Sequence, residues 1–234
     1  MGTKSSKEDA WNIMQFLMNL IEKTSLGDER LNCLLDCAAE IYQYLDASNQ
    51  NEFLKNMIPY LTNLCKLDID VKTKQVVSGP EYANVDGVEI TTLDTANMGK
   101  VQISINTTAI ETVTNAVRLL HNILIDGQQA LMPYIPQIYD AVKPLIDFAF
   151  HEEARDLTAR IFAKLFEIMV SGLKNNTCDY NTCMTFYKEV IEILINQYHA
   201  EEDATERSCI AESIRDIFCV LIDPCFDIVH LRER

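Results

Sequence analysis

The residues best suited to chemistry are four histidines, eight cysteines and a surplus of carboxylates, and their distribution favours contact over catalysis. His121, His151, His199 and His230 stand far apart, none in a His-Glu-x-x-His arrangement for zinc and none beside a nucleophile motif. Cysteine supplies two suggestive spacings: Cys33 and Cys37 lie one helical turn apart, and Cys178 and Cys183 bracket a short loop and helix start. Structural zinc needs four well-placed ligands, so packing as small hydrophobes is the expectation for both pairs, with no metal and no cofactor. A Walker-type phosphate loop and a Rossmann glycine fingerprint are both missing, and the seven glycines fall mostly in turns. With no converging acid, base or nucleophile, the expectation is a non-enzyme.

The carboxylates are more informative. Asp36 and Glu40, Glu111 and Asn115, and Glu212 and Asp216 are each separated by four residues. That spacing puts each pair on one face of a helix, where carboxylates can meet a lysine and an Asn amide can hold an extended peptide backbone. These six are the candidate partner-binding residues. Thirty-five acidic residues against twenty Lys and Arg leave a formal charge of -15. Such a field repels nucleic-acid phosphates and anionic lipid headgroups and favours basic protein partners.

The elements that must position these residues recur along the chain. Ala10, Ile13, Met14, Leu17, Leu20 and Ile21 keep helical spacing, and a second amphipathic run follows Gly27 with Leu31, Leu34, Leu35, Ala38, Ile41, Tyr42 and Leu45. The same helix–turn–helix unit returns three times, which makes the chain a repeat array of about four units: 8–46, 49–126, 127–172 and 180–222. Asp223-Pro224 reads as the start of a further first helix over 223–234, so the array is expected to continue in a longer parent. Pro59, Pro133, Pro136 and Pro144 all fall in first helices, where they bend or interrupt. Second helices open with acids and an Arg, as in Asp28-Glu29-Arg30 and Glu152-Glu153-Ala154-Arg155. The acids suit the positive end of the helix dipole, and the Arg can reach acidic groups of a neighbouring repeat. In such a solenoid the second helices are expected to line the concave side, which would place the six candidates in the groove.

Residues 68–106 interrupt the helical pattern inside the second unit. Gly87 to Leu93 and Val101 to Ile105 alternate in strand fashion, which predicts a β-hairpin with a polar connection over Asp94–Lys100. The fold class is therefore all-α, an α-α superhelix with one β-hairpin insertion. No segment approaches the roughly 20 apolar residues of a membrane span. The polar first ten residues lack a secretory signal's apolar run, and with eight cysteines this points to a reducing compartment.

The stretch from Pro133-Tyr134-Ile135-Pro136 through His151-Glu152-Glu153-Ala154-Arg155 to Phe162-Ala163-Lys164-Leu165-Phe166 resembles a HEAT repeat. With Glu8 to Gln15, Phe53 to Leu61 and the Asp86-Gly87-Val88-Glu89-Ile90 hairpin set between two helices of one repeat, the whole chain is similar to the middle of an importin-β-family karyopherin of the beta-3 (importin-5-like) class. It departs from that family in length, in lacking the amino-terminal repeats of the usual Ran platform, and in carrying Val88 where the family's hairpin often has an aromatic residue. The resemblance implies a nuclear transport receptor segment, cytoplasmic and nuclear. It would bind basic protein cargo, and meet the GTPase Ran and phenylalanine-glycine-rich (FG) nucleoporins through the longer parent. Neither nucleic acid nor membrane is an implied partner. The alternative is a HEAT scaffold subunit that assembles a phosphatase, kinase or chromatin complex.

Overall fold

Five of the helices described begin where an aspartate or asparagine takes up an orphan backbone N–H, and the strands fall in the one segment where the helical period lapses. The computed structural model describes residues 3–26, 28–69, 71–75, 88–95 and 99–222. Its α-helices are α1 (Thr3–Lys23), α2 (Glu29–Tyr42), α3 (Ala47–Leu64), α4 (Thr107–Gly127), α5 (Ile135–Val142), α6 (Glu152–Lys174), α7 (Tyr180–Ala200) and α8 (Ala204–Ile222). The further helix expected over 223–234 lies outside the described residues.

The caps are read directly from side-chain contacts. Asp28 Oδ1 accepts from Arg30 N at 3.0 Å, Asp46 Oδ1 from Asn49 N at 2.9 Å, and Asp179 Oδ1 from Thr182 N at 2.9 Å. Asp203 Oδ1 takes two donors at the start of α8, Thr205 N at 2.7 Å and Glu206 N at 3.0 Å. Helix α6 stops at Asn176, whose φ of 57° is left-handed, while Thr177 N returns to Gly172 O at 2.8 Å. The prolines act as their chemistry requires. Short 3-10 segments, Gln128–Tyr134 with Pro133 and Lys143–Leu145 with Pro144, flank α5 and replace what would otherwise be one long helix.

These caps carry a pH dependence. Hydrogen bonds from the Arg30 side chain and backbone hold the Asp28 carboxyl at about 2 against an ordinary 3.8. A depressed carboxyl contributes stability that is present above 3.8 and is lost as pH falls through about 2. Carboxyl carbon NMR of the intact chain should therefore show Asp28 titrating near 2, with the first turn of α2 fraying in the same range. A midpoint near 3.8 would show that Arg30 does not hold the Asp28 carboxylate in solution.

Helices α2, α4, α6 and α8 pack side by side in one layer, each against the next. The first helices cover them, α1 on α2, α3 on α4, α5 on α6 and α7 on α8, and α3 also meets α5. One continuous core runs from Ala10 to Ile217. Helix α6, flanked on both sides, buries Leu157, Ile161, Phe162, Leu165, Phe166 and Met169 among others, whereas α8 buries only Glu206, Ile210, Ser213 and Ile217. The architecture is all-α, a two-layer stack of helix pairs interrupted by one small sheet. No helix among the described residues is long and apolar enough to cross a membrane.

The sheet has β1 (Val71–Gln75), β2 (Val88–Thr95) and β3 (Gly99–Asn106) in the order β1-β3-β2, both pairings antiparallel. The expected hairpin is β2 with β3, and it extends into the polar connection, with Asp94 opposite Lys100 and Thr95 opposite Gly99. Strand β1, which the sequence did not predict, adds to the other edge of β3, Val71 opposite Ile105. Among the described residues the insertion thus supplies three strands between α3 and α4, and β2 touches α4.

Candidate protein-binding surface

Helices α2, α6 and α8 each carry an exposed face, α4 is largely buried between α2 and α6, and arginines tie these helices together. Arg118 of α4 donates to Glu153 Oε1 of α6 through Nε at 2.9 Å and Nη2 at 2.7 Å, and reaches back to Asp36 Oδ1 of α2 through Nη1 at 3.3 Å. Partial burial opposes its charge, but the hydrogen bond to Glu153 and the charges of Glu153 and Asp36 outweigh that and hold its pKa above the ordinary value. One guanidinium therefore spans three helices. Between α6 and α8, Arg160 Nε donates to both Asp156 oxygens at 3.1 Å, and its Nη2 stands 3.8 Å from Glu212 Oε2. Nearer the start of the two helices, Arg155 Nε is 3.6 Å from Glu201 Oε2 and its Nη2 is 3.9 Å from Glu206 Oε2. Its Nη1 donates to Phe148 O at 3.0 Å.

Five of the six candidates, Asp36, Glu40, Glu111, Glu212 and Asp216, are exposed on α2, α4 and α8. Asp36 and Glu212 face the arginines already described, and Asp216 is paired with its chain neighbour Arg215 at 2.9 Å. Glu111 Oε2 accepts from Asn32 Nδ2 at 3.2 Å across the α2–α4 seam, where Thr112 Oγ1 also meets Asn32 Oδ1 at 3.3 Å. Glu40 has no ion pair among the described residues. Asn115 sits differently. It is only 9% exposed, and its Oδ1 accepts from Arg118, so the amide serves the inter-helix lattice instead of standing open to a peptide. The acids do not converge on one pocket; they are dispersed over the layer, an arrangement suited to several weak contacts along an extended basic chain.

Sequence reasoning missed Arg118, Arg160, Asp156 and Glu153 as a set, although the lattice turns on them. The available signal was an arginine in the middle of a second helix, four residues beyond an acid in the case of Asp156 and Arg160. The expectation that the helix-start arginine reaches a neighbouring repeat fits Arg155 but not Arg30, which closes on its own cap at 2.5 Å from Asp28. Short range decides that case, since the partner is two residues away.

The cysteines divide. Cys65 and Cys183 are buried, and burial pushes both thiols up to about 12, which makes them inert packing residues. Cys33 and Cys37 are exposed, contrary to the packing expectation, because they fall on the face of α2 opposite Leu31, Leu35 and Ala38. Burial lowers the pKa of the His121 imidazole, with Arg160 adding to the effect, so it is neutral at pH 7. Among the described residues no three His, Cys, Asp or Glu side chains are grouped to hold a metal ion.

The geometry has relatives among solved structures. This chain superposes on Kap121p bound to RanGTP with a TM-score of 0.72 and 16% identity, over 96% of this chain and 21% of that one. It superposes on a Kap121p variant with three acidic residues replaced by lysine at 0.70, 16%, 93% and 20%, and on Kap121p bound to Pho4p at 0.67, 16%, 93% and 20%. Kap121p is a karyopherin. The fold is shared with a karyopherin. This chain spans about a fifth of the length of those structures. No family model and no curated protein matches the sequence. A helix-pair solenoid asks for apolar residues at helical spacing more than for particular side chains, so the karyopherin architecture can persist at an identity this low.

Proposed function

We propose that this chain is a non-catalytic segment of an importin-β-family nuclear transport receptor of the beta-3 class. Its acidic second-helix faces contact basic protein cargo, and the longer protein meets Ran and FG-nucleoporins. The observation that carries the reading is the likeness over nearly the whole chain to Kap121p, solved with RanGTP and with protein ligands. The charge of -15 supports basic partners, and the exposed positions of Asp36, Glu40, Glu212 and Asp216 offer them carboxylates on two helices of one layer.

Calorimetric titration with a lysine-rich peptide tests it. Exposed ionic contacts contribute about 0.2–1 kcal/mol each, so reversing Asp36, Glu40, Glu212 and Asp216 to Lys together should weaken binding roughly fivefold to several hundredfold. The effect should fade as salt shortens the screening length below about 8 Å. Reversal of Glu22 and Glu52, exposed on the first helices α1 and α3, is the control at half the charge change. Loss in proportion to the charge reversed in both sets would make the acidity a diffuse field, and no loss from the first set would remove these faces from recognition.

A further inference from the structure

One cavity differs in chemistry from the rest of this acidic molecule. It has a volume of about 280 Å³ and lies between the C-terminal halves of α4, α6 and α8. Leu124, Ile125, Ile168 and Val220 form an apolar wall, and Ile125 is 49% exposed, which is unusual for an isoleucine facing its neighbours. The polar side is built from Lys164, Lys174, Ser171 and Gln129.

Two features point to an anionic group beside an apolar one. Lys174 is exposed and has no ion pair among the described residues. Lys164 has one, at 2.7 Å to Glu167 one turn away on the same wall, and both members are well exposed, so the pair holds it weakly. Two lysines and a hydroxyl against one carboxylate among the described lining residues make a wall complementary to a carboxylate, and the apolar wall complements an aliphatic or aromatic side chain.

We propose that this cavity docks a peptide of acidic and apolar character, one apolar side chain entering it and an adjacent carboxylate meeting Lys174 and Lys164. The site is separate from the acidic faces, opposite to them in charge preference, and independent of the transport reading. A chain whose net charge is -15 would otherwise repel such a peptide, so the local cations give selectivity for a short motif over acidic chains in general.

The test is a nitrogen-15 correlation titration of the whole chain with an end-blocked peptide carrying an Asp-Leu-Asp core, beside versions with both Asp replaced by Asn or by Lys. Ile168, Ser171 and Val220 amides should shift with the first peptide, and the Asn version should bind at least about fivefold more weakly. Lys174→Glu should weaken the Asp peptide about tenfold, and Lys174 is exposed enough that the fold is retained, which the spectrum itself reports. Ile125→Ser should weaken all three peptides by removing part of the apolar wall without adding a charge. Equal or better binding of the Asn or Lys peptide, shifts elsewhere on the chain, no shifts at all, or indifference to Lys174→Glu would each overturn the proposal.

Discussion

Phe162→Ala should cost about 3–5 kcal/mol of stability, the range for truncating a fully buried aromatic in a core that can only partly collapse. Phe162 has no exposed surface. Its ring lies 5.4 Å from Tyr139 of α5, and Tyr139 lies 5.0 Å from Phe186 of α7, so one cluster joins a second helix to the first helices of its own and the following pair. The short α5, flanked by prolines, is anchored by Tyr139 together with Ile135, Ile138, Ala141 and Val142. Loss of Phe162 should therefore be felt at α5 and α7 beyond the cavity itself. Urea melts give the free energy, and aromatic-ring spectra of Tyr139 and Phe186 report the loosening. Phe218→Ala, at a position 41% exposed, is the control and should stay within about 0.5 kcal/mol. A Phe162→Ala cost as small as the control's would show that the two layers are held elsewhere.

Periodicity made most of this layering legible. Apolar residues keep helical spacing over about Thr107 to Ile125, Thr182 to Tyr198 and Ala204 to Ile222, and α4, α7 and α8 lie within a few residues of those runs, because an amphipathic stripe over five turns is a strong signal. Pro133, Pro136 and Pro144 mark an interrupted first helix but not the form of the interruption, since whether a proline bends a helix or yields 3-10 turns depends on the packing around it. Strand β1 was missed because five residues with two lysines carry little of the apolar alternation that marks a half-buried strand. Its partner β3 is what defines it.

The candidate surface was less legible than the fold. Spacing by four identified which acids share a helix face, and five of those six residues are indeed exposed. It could not say which charge on the next helix answers them. That depends on the stagger between α2, α4, α6 and α8, which sets Arg118 between Asp36 and Glu153 and leaves Glu40 without an ion pair among the described residues. Asn115 shows the same limit from the other side, since its helix position was right and its neighbour Arg118 took the oxygen.

Arg155→Met should be the second large effect, about 3 kcal/mol, because removing one member of a buried ion pair leaves the other charge uncompensated. The Arg155 side chain is 16% exposed and those of Glu201 and Glu206 are 14% and 11%. Its ion contacts are loose at 3.6 and 3.9 Å, and its Nε is buried without a hydrogen bond, which holds the loss below that of a well-formed pair. Burial already raises the Glu206 carboxyl; Arg155 works against that, and Glu152, Asp156 and Glu201 add to it. Without Arg155 the carboxyl should rise further. The sign then follows from proton binding: a carboxyl raised in the folded state binds its proton more tightly there than when unfolded, so the variant's deficit grows with pH through that window and shrinks below the ordinary 4.5. Stability of Arg155→Met and the parent should draw closer as pH falls toward that value, with the part that belongs to Phe148 O remaining. Adding Glu206→Gln removes the stranded charge and should recover roughly half of the loss at pH 7, the remainder belonging to Phe148 O and Glu201. A deficit independent of pH and untouched by Glu206→Gln would mean that Arg155 contributes through the packing of its aliphatic stem, and that the join between α6 and α8 does not depend on this charge.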